Sequence, residues 1–216
     1  LPNGPVFPNR FPAGAIENYK AENISSYTNI STGAWRAPKS NFTAGAEQAF
    51  LDEVAESCKQ DPIEFRIELL NRVLDKPIGS NLNYEPKRFV DVLKLVRDKS
   101  GWDDKTNKSM GVSSYFCHNT YVAEVIDMEL VEDKPKIKNI WCAVDCGIII
   151  NKDSAKNMIE GSIIDGIGHA MFSKLNFRNG AVTNDNFDKY NLIRHNQSPS
   201  NIKVYFLKGN KSPTGL

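Results

Sequence analysis

Four cysteines in 216 residues, Cys58, Cys117, Cys142 and Cys146, are too few and too scattered for a disulfide scaffold. The Cys142/Cys146 pair has neither zinc-ribbon spacing nor a second pair, so all four read as reduced, small and mostly buried residues. No sign of charge dominates: 27 basic and 26 acidic side chains leave a formal net charge of +1, which excludes a polyanion-binding surface built on bulk charge. No run approaches the ~18 apolar residues of a membrane span. The histidines His118, His169 and His195 lack the i, i+4 pairing of a helical zinc site. No Gly-x-Ser-x-Gly elbow supplies a serine nucleophile, and Gly161, Gly166 and Gly168 are not followed by the Lys-Ser/Thr of a phosphate loop. An initiator Met and a signal-peptide pattern are also lacking, so the chain reads as an excised piece of a longer one. Sequons at Asn23, Asn29, Asn41 and Asn107 carry no weight in an Asn-rich sequence.

What is present is most distinctive between residues 143 and 172. Residues 140–144 are apolar enough for a strand buried on both faces, Asp145-Cys146-Gly147 supplies turn chemistry, and Asn151 stands where a helix N-cap belongs. Met158, Ile159, Ile163, Ile167, Ala170 and Met171 then recur at helical spacing, yet Gly161, Gly166 and Gly168 interrupt them at about 1 kcal/mol each relative to Ala. Two causes fit that cost. One is close packing of helix on sheet; the other is a cofactor lying against bare backbone near a helix start, where N–H groups and the dipole favour anions.

Elsewhere the pattern divides the chain into an extended, Pro- and Gly-rich arm over residues 1–40, with one strand near 19–24, and a folded domain over 41–216. A helix is predicted over 41–59, with Ala46, Phe50, Val54 and Cys58 as its apolar stripe and Glu47, Asp52 and Glu56 facing water. Asp61, Pro62 and Glu64 mark the start of a second helix running to about Val73. A third, over 86–99, buries Phe89, Val92, Leu93 and Val96 and ends before Gly101. Period then changes to two. Strands over 111–117, 121–131 and 136–144, with Glu132 to Pro135 as a turn, make an antiparallel unit with Ile126, Met128 and Leu130 on one face and a solvated side carrying Asp127 and Glu129. Asn179-Gly180 is a hairpin turn, and 202–207 is a last strand. Helices followed by a mixed, mainly antiparallel sheet packed on a glycine-rich helix define an α+β fold.

Two residues suggest chemistry. Arg36, in Gly33-Ala34-Trp35-Arg36-Ala37-Pro38, is a fixed cation that can clamp a carboxylate, phosphate or developing oxyanion, or else pack on Trp35 or pair at the surface. Asp145 is either a capping or Asx-turn carboxylate or a functional one.

These segments, with FPAGAIENY, DPIEFRIELL, YVAEV, NFDKYNLIRHN and the terminal PTGL in the same order, resemble the large molybdopterin-binding subunit of the xanthine dehydrogenase and aldehyde oxidase family. The nearest branch is that of the isoquinoline 1-oxidoreductase large subunit, and the resemblance covers nearly the whole chain. It implies the second molybdopterin-binding domain of that fold, and a molybdenum-dependent oxidoreductase that hydroxylates an N-heterocycle or aldehyde with water as oxygen source. It implies a molybdopterin dinucleotide, in its cytosine form, and a small iron-sulfur subunit that takes the electrons. Carried over by position, Gly33, Trp35 and Arg36 fall near the molybdenum, with Arg36 stabilising charge on the substrate. Glu160, Gly161, Gly166 and Gly168 match the helix beside the cofactor, while Asp165 stands where many relatives have Gln. The family's general-base Glu follows a run like Pro213-Thr214-Gly215-Leu216 and is absent from this chain, which the resemblance therefore implies is inactive alone. Relatives of this branch are often exported already folded, which leaves periplasm and cytoplasm both open. The rival reading from another class is a non-catalytic scaffold or assembly module that retains the fold.

Overall fold

A computed structural model describes residues 7–24, 29–33, 35–38, 40–79, 81–102 and 109–215. Pro2, Gly4, Pro5, Ala34, Asn107 and Leu216 lie outside them. Three helices come first, α1 (Ser40–Ser57), α2 (Pro62–Asp75) and α3 (Pro86–Ser100). Strands β1 (Met110–Cys117), β2 (Thr120–Val131) and β3 (Lys134–Asp145) follow, then α4 (Lys152–Met171). The short strands β4 (Phe177–Arg178) and β5 (Ala181–Val182) precede β6 (Ile202–Phe206). The main sheet has the order β1-β2-β3-β6, antiparallel except for the parallel β3–β6 pair. The fold is α+β.

Helix starts follow local chemistry. Asp61 Oδ1 accepts from the Ile63 and Glu64 amides at 2.9 Å, and Pro62 opens α2 where its missing N–H costs nothing. Gly101 ends α3 in the left-handed conformation (φ 70°). The stripe Phe89, Val92, Leu93 and Val96 is buried as its period requires, against Tyr121, Ala123, Val125 and Ala143 on one face of the sheet. Alternation then sends Ile140, Cys142 and Val144 to the opposite face, where Ile159, Ile163 and Ile167 of α4 cover them. The sheet is therefore covered by helices on both sides.

Four expectations differ from the structure. The inward face of α1 is Gln48, Leu51 and Ala55, whereas Phe50 and Cys58 are exposed. The cause is Arg66, fully buried on α2, whose guanidinium takes Gln48 Oε1 at 3.0 Å, the Gln48 carbonyl at 3.1 Å and Asp52 at 2.7 Å. Satisfying that charge rotates α1 away from its most apolar stripe. In β2 the buried face of Tyr121, Ala123 and Val125 continues to Asp127, which accepts from Asn139, and beyond a register shift after Asp127 the strand leaves the core, so that Met128, Glu129, Leu130 and Val131 are all exposed. The turn into β3 is also tighter than predicted, formed by Glu132 and Asp133, both with positive φ. Residues 19–24 form no strand. The arm's anchor is earlier, where Phe11 packs edge-on to Tyr84 and Phe89 and the Tyr84 hydroxyl donates to the Ala13 carbonyl.

The helical layer is tied to the end of β3 by a buried ion pair. Arg88 donates through Nε to Asp145 Oδ2 at 2.7 Å and through Nη2 to Oδ1 at 2.9 Å, with side chains 10% and 9% exposed. Its guanidinium lies 4.5 Å from the Tyr121 ring centroid, and Asp145 Oδ1 also accepts from the Gly147 amide at 3.1 Å. The Arg88 hydrogen bonds, opposed by burial and helped by the Gly147 amide, hold the Asp145 carboxyl below its ordinary range. Because folding lowers that pKa, the stabilisation is complete above the unfolded value of about 3.9 and is lost as pH falls through the folded value. Arg88→Ala is expected to cost about 3–5 kcal/mol of unfolding free energy in urea titrations at neutral pH, since it strands a buried carboxylate. Below about pH 4 the chain should lose stability more steeply than Asp145→Asn does; parallel acid profiles of the two would refute the assignment.

Candidate functional site

The two segments singled out in the sequence meet in space. Trp35 Nε1–H donates to His169 Nε2 at 3.0 Å, across 134 residues of chain, and the rings stand edge to face with centroids 5.9 Å apart. Arg36 Nη1 donates to Asp165 Oδ2 at 3.1 Å, across 129 residues. Asp165 and His169 are one turn apart on α4, so consecutive residues of the incoming segment dock on consecutive turns of the helix. His169 Nε2 is also 3.8 Å from Asp165 Oδ2, but a nitrogen that accepts from the indole has no proton to give the carboxylate.

The glycines of α4 differ among themselves. A Cβ on Gly161 or Gly166 would meet nothing within 4 Å, so neither is explained by close packing on the sheet. A Cβ on Gly168 would press on Ile193 at 3.0 Å; that glycine seats the helix on a loop. Gly161 lies one turn before Asp165 and Gly166 directly after it, so the Arg36 contact stands between two stretches of open helix backbone. Glu160 is about 140° round the helix from Asp165 and pairs with Lys156 at 3.4 Å. The structure does not bring Glu160 to Arg36. Gly33 is exposed with open space around it, and Trp35 is 55% exposed.

At the other end of α4, Asn151 caps the helix by accepting from the Ser154 amide at 3.0 Å. A cleft of about 320 Å³ opens there, lined by residues 148–151, Ser154, Met158 and residues 213–215. Its geometry depends on Gly147, whose φ is 75° and whose missing Cβ leaves room for the Ser212 and Lys211 carbonyl oxygens. The Ile148 amide donates to the Lys211 carbonyl at 2.9 Å and the Thr214 amide to the Cys146 carbonyl at 3.1 Å. Thr120 Oγ1 donates to the Thr214 carbonyl at 2.8 Å. Residues 211–215 are thus pinned along the approach to the helix N-terminus. Asp145, left open between turn and function by its sequence, serves the turn and the Arg88 pair.

No group of His, Cys, Asp and Glu suited to a metal ion occurs among the described residues. Cys142 and Cys146 are buried, and burial pushes both thiols up, so neither is a ready thiolate ligand. Cys58 is exposed and Cys117 half-buried. Sequence reasoning missed Arg88, Arg66 and the partners of Trp35 and Arg36. A signal existed for the first two: Arg88 shares a stripe with Val92 and Val96 at i, i+4 and i+8, and Arg66 lies between Ile63 and Leu70 at i+3 and i−4. A cation inside an apolar stripe demands a buried partner. Asp165 and His169 carried no such mark.

An α+β domain with open glycine backbone on one helix, a cleft at the N-terminus of that helix and an Arg at its side offers N–H donors and a cation to an anionic ligand. The model of the molybdopterin cofactor-binding domain family matches residues 42–199, well over half of the chain, and the chain belongs to that family. The beta subunit of isoquinoline 1-oxidoreductase from Brevundimonas diminuta is 25% identical over 178 residues, 79% of this chain and 21% of that protein. The membrane-bound aldehyde dehydrogenase (pyrroloquinoline-quinone) of Gluconacetobacter polyoxogenes is 24% identical over 222 residues, 95% of this chain and 28% of that protein. Among solved structures, a Cu,Mo-CO dehydrogenase in its carbon monoxide reduced state matches with a TM-score of 0.39 at 18% identity, over 41% of this chain and 11% of that one. The chain spans less than a third of the length of the curated relatives.

Gly147→Ala should destabilise the chain by roughly 1–3 kcal/mol, from the strained φ and the carbonyl collision together. Thermal unfolding measures it. A neutral effect would mean that residues 211–215 do not lie where the cleft requires.

Proposed function

We propose that the chain is part of the large subunit of a molybdenum hydroxylase that oxidatively hydroxylates an N-heterocycle or an aldehyde, with water as the oxygen source. The observation that carries this is the meeting of Trp35-Arg36 with α4 beside Gly161 and Gly166, where the helix backbone is open. Those glycines pass a simple test of fit: each forgoes about 1 kcal/mol of helix propensity with no neighbour to justify it, as a group laid against the backbone would require. The family match at residues 42–199 favours a pterin over the quinone in the name of one relative.

In this reading the cofactor is a molybdopterin dinucleotide, in its cytosine form, and supplies two-electron oxidation when bound. Gly161 and Gly166 offer it backbone, Gly33 and Trp35 border it, and Gly168 seats the helix that carries Glu160. The free amides and dipole at the start of α4 favour its anionic groups. Arg36 stabilises negative charge developing on the substrate. Residues 213–215, held by Thr120 and the Cys146 carbonyl, lead to the family's general-base Glu beyond Leu216. A small iron-sulfur subunit takes the electrons, and residues 1–216 alone do not complete the reaction.

Gly161→Ala and Gly166→Ala separate stability from function. Each should stabilise the fold by about 0.5–1 kcal/mol, because open space surrounds both helical positions, while lowering the pterin content of the complete enzyme. Unchanged pterin content in both variants would refute the cofactor contact. Metal analysis of the complete enzyme tests the wider reading: molybdenum should co-purify with activity, and a preparation fully active without it would end the proposal.

A further inference from the structure

We propose that Asp165 is a specificity-determining residue whose carboxylate, paired with Arg36, turns anionic substrates away from the site. The inference rests on the reading above, in which Arg36 faces the substrate. An unpaired guanidinium beside an aromatic ring is a carboxylate clamp, because its N–H fork matches two oxygens. Here one arm of that clamp is taken. Arg36 Nη1 holds Asp165 Oδ2 at 3.1 Å, and among the described residues the guanidinium has no other ion pair. The other charges of α4 do not alter the balance: Lys156 and Glu160 pair with each other at 3.4 Å, with Glu160 about 140° round the helix from Asp165, and Lys152 and Asp153 lie more than three turns away at its start. The cluster therefore sums to zero, with a carboxylate standing where an incoming anion would bind.

An anionic ligand has two routes to Arg36, and both are unfavourable. It displaces Asp165 and leaves two carboxylates side by side, or it shares the guanidinium and meets Asp165 through space. An uncharged ligand has no such penalty. A flat neutral ring can lie on the part of Trp35 that its edge contact with His169 leaves uncovered, the residue being 55% exposed. A ring nitrogen or carbonyl of that ligand can accept from the guanidinium N–H groups that Asp165 does not use. Asp165 thus leaves Arg36 its hydrogen-bonding capacity while cancelling its net charge.

The test compares the complete enzyme carrying the native residue, Asp165→Asn or Asp165→Glu, using two probes of one shape, pyridine-3-carboxamide and pyridine-3-carboxylate. Two quantities are read: the ratio of kcat/KM for the two probes, and the ratio of their dissociation constants from quenching of the Trp35 fluorescence, assigned by repeating the titration in Trp35→Phe. Asp165→Asn should shift both ratios toward the carboxylate by about two- to fivefold, the worth of one partly exposed charge contact. Asp165→Glu should keep the native ratios. Asp165 is partly exposed and the Asn change is isosteric, so thermal midpoints should stay close to the native one. Equal ratios in all three proteins, or the same shift in Asp165→Glu, would overturn the proposal, as would the absence of Trp35 quenching by either probe. An enzyme that contains molybdenum but oxidises neither probe would count against the substrate class of the hydroxylase reading, while the binding ratios still decide Asp165.

Discussion

The bidentate contact between Arg88 and Asp145 joins the two halves of this molecule. Arg88 belongs to the helical layer and Asp145 to the last residue of the central strand, so the pair sets where the chain leaves the sheet. A charge buried in an apolar layer is tolerated only when its hydrogen bonds are satisfied, and this one has both carboxylate oxygens, the Asp145 carbonyl and the Tyr121 ring. Asp145 in turn orders the Gly147 turn, and that turn receives residues 211–212. The cleft before α4 and the path of residues 213–215 are consequences of one ion pair and one glycine.

From that turn, α4 crosses the sheet with two unlike sides. Ile159, Ile163 and Ile167 anchor it on Ile140, Cys142 and Val144, which makes the helix a rigid platform. Rigidity on one side permits bare backbone on the other. Gly161 and Gly166 weaken the helix as an isolated object, but packing against the sheet offsets that cost. The segment carrying Trp35 and Arg36 then reaches the same helix from the far side of the chain. The helix is thus a platform fixed by its core on one side, with a separate segment of chain laid on its other edge.

How far this was legible depended on the range of the forces involved. The capped starts at Asp61-Pro62 and Asn151, the end at Gly101, the Asn179-Gly180 turn and the inward stripe of α3 are local, and each is where sequence reasoning places it. The face of α1 was misread because Arg66, a residue of the next helix, decides it. The face of β2 beyond Ile126 differs from its hydrophobic pattern because Ser109 and Asn139 satisfy the Asp127 carboxylate on the buried face, while the strand past the register shift extends into solvent. Of the candidate site, Gly33, Trp35, Arg36 and the α4 glycines were visible as unusual chemistry. That Asp165 and His169 are their partners was not, since an Asp and a His on a partly exposed helix face look like any solvated pair.

By itself the amino-acid sequence determined the class of fold, the helix boundaries set by caps and proline, and the presence of two segments of unusual composition. Caps, turns and hydrophobic period act within a few residues, so they are readable along the chain. The tertiary structure decided that those two segments meet, that Gly161 and Gly166 are open while Gly168 is filled, and that Arg36 arrives already paired. These depend on contacts spanning more than a hundred residues, and no local rule specifies which exposed charge will find which partner once the sheet has brought them together.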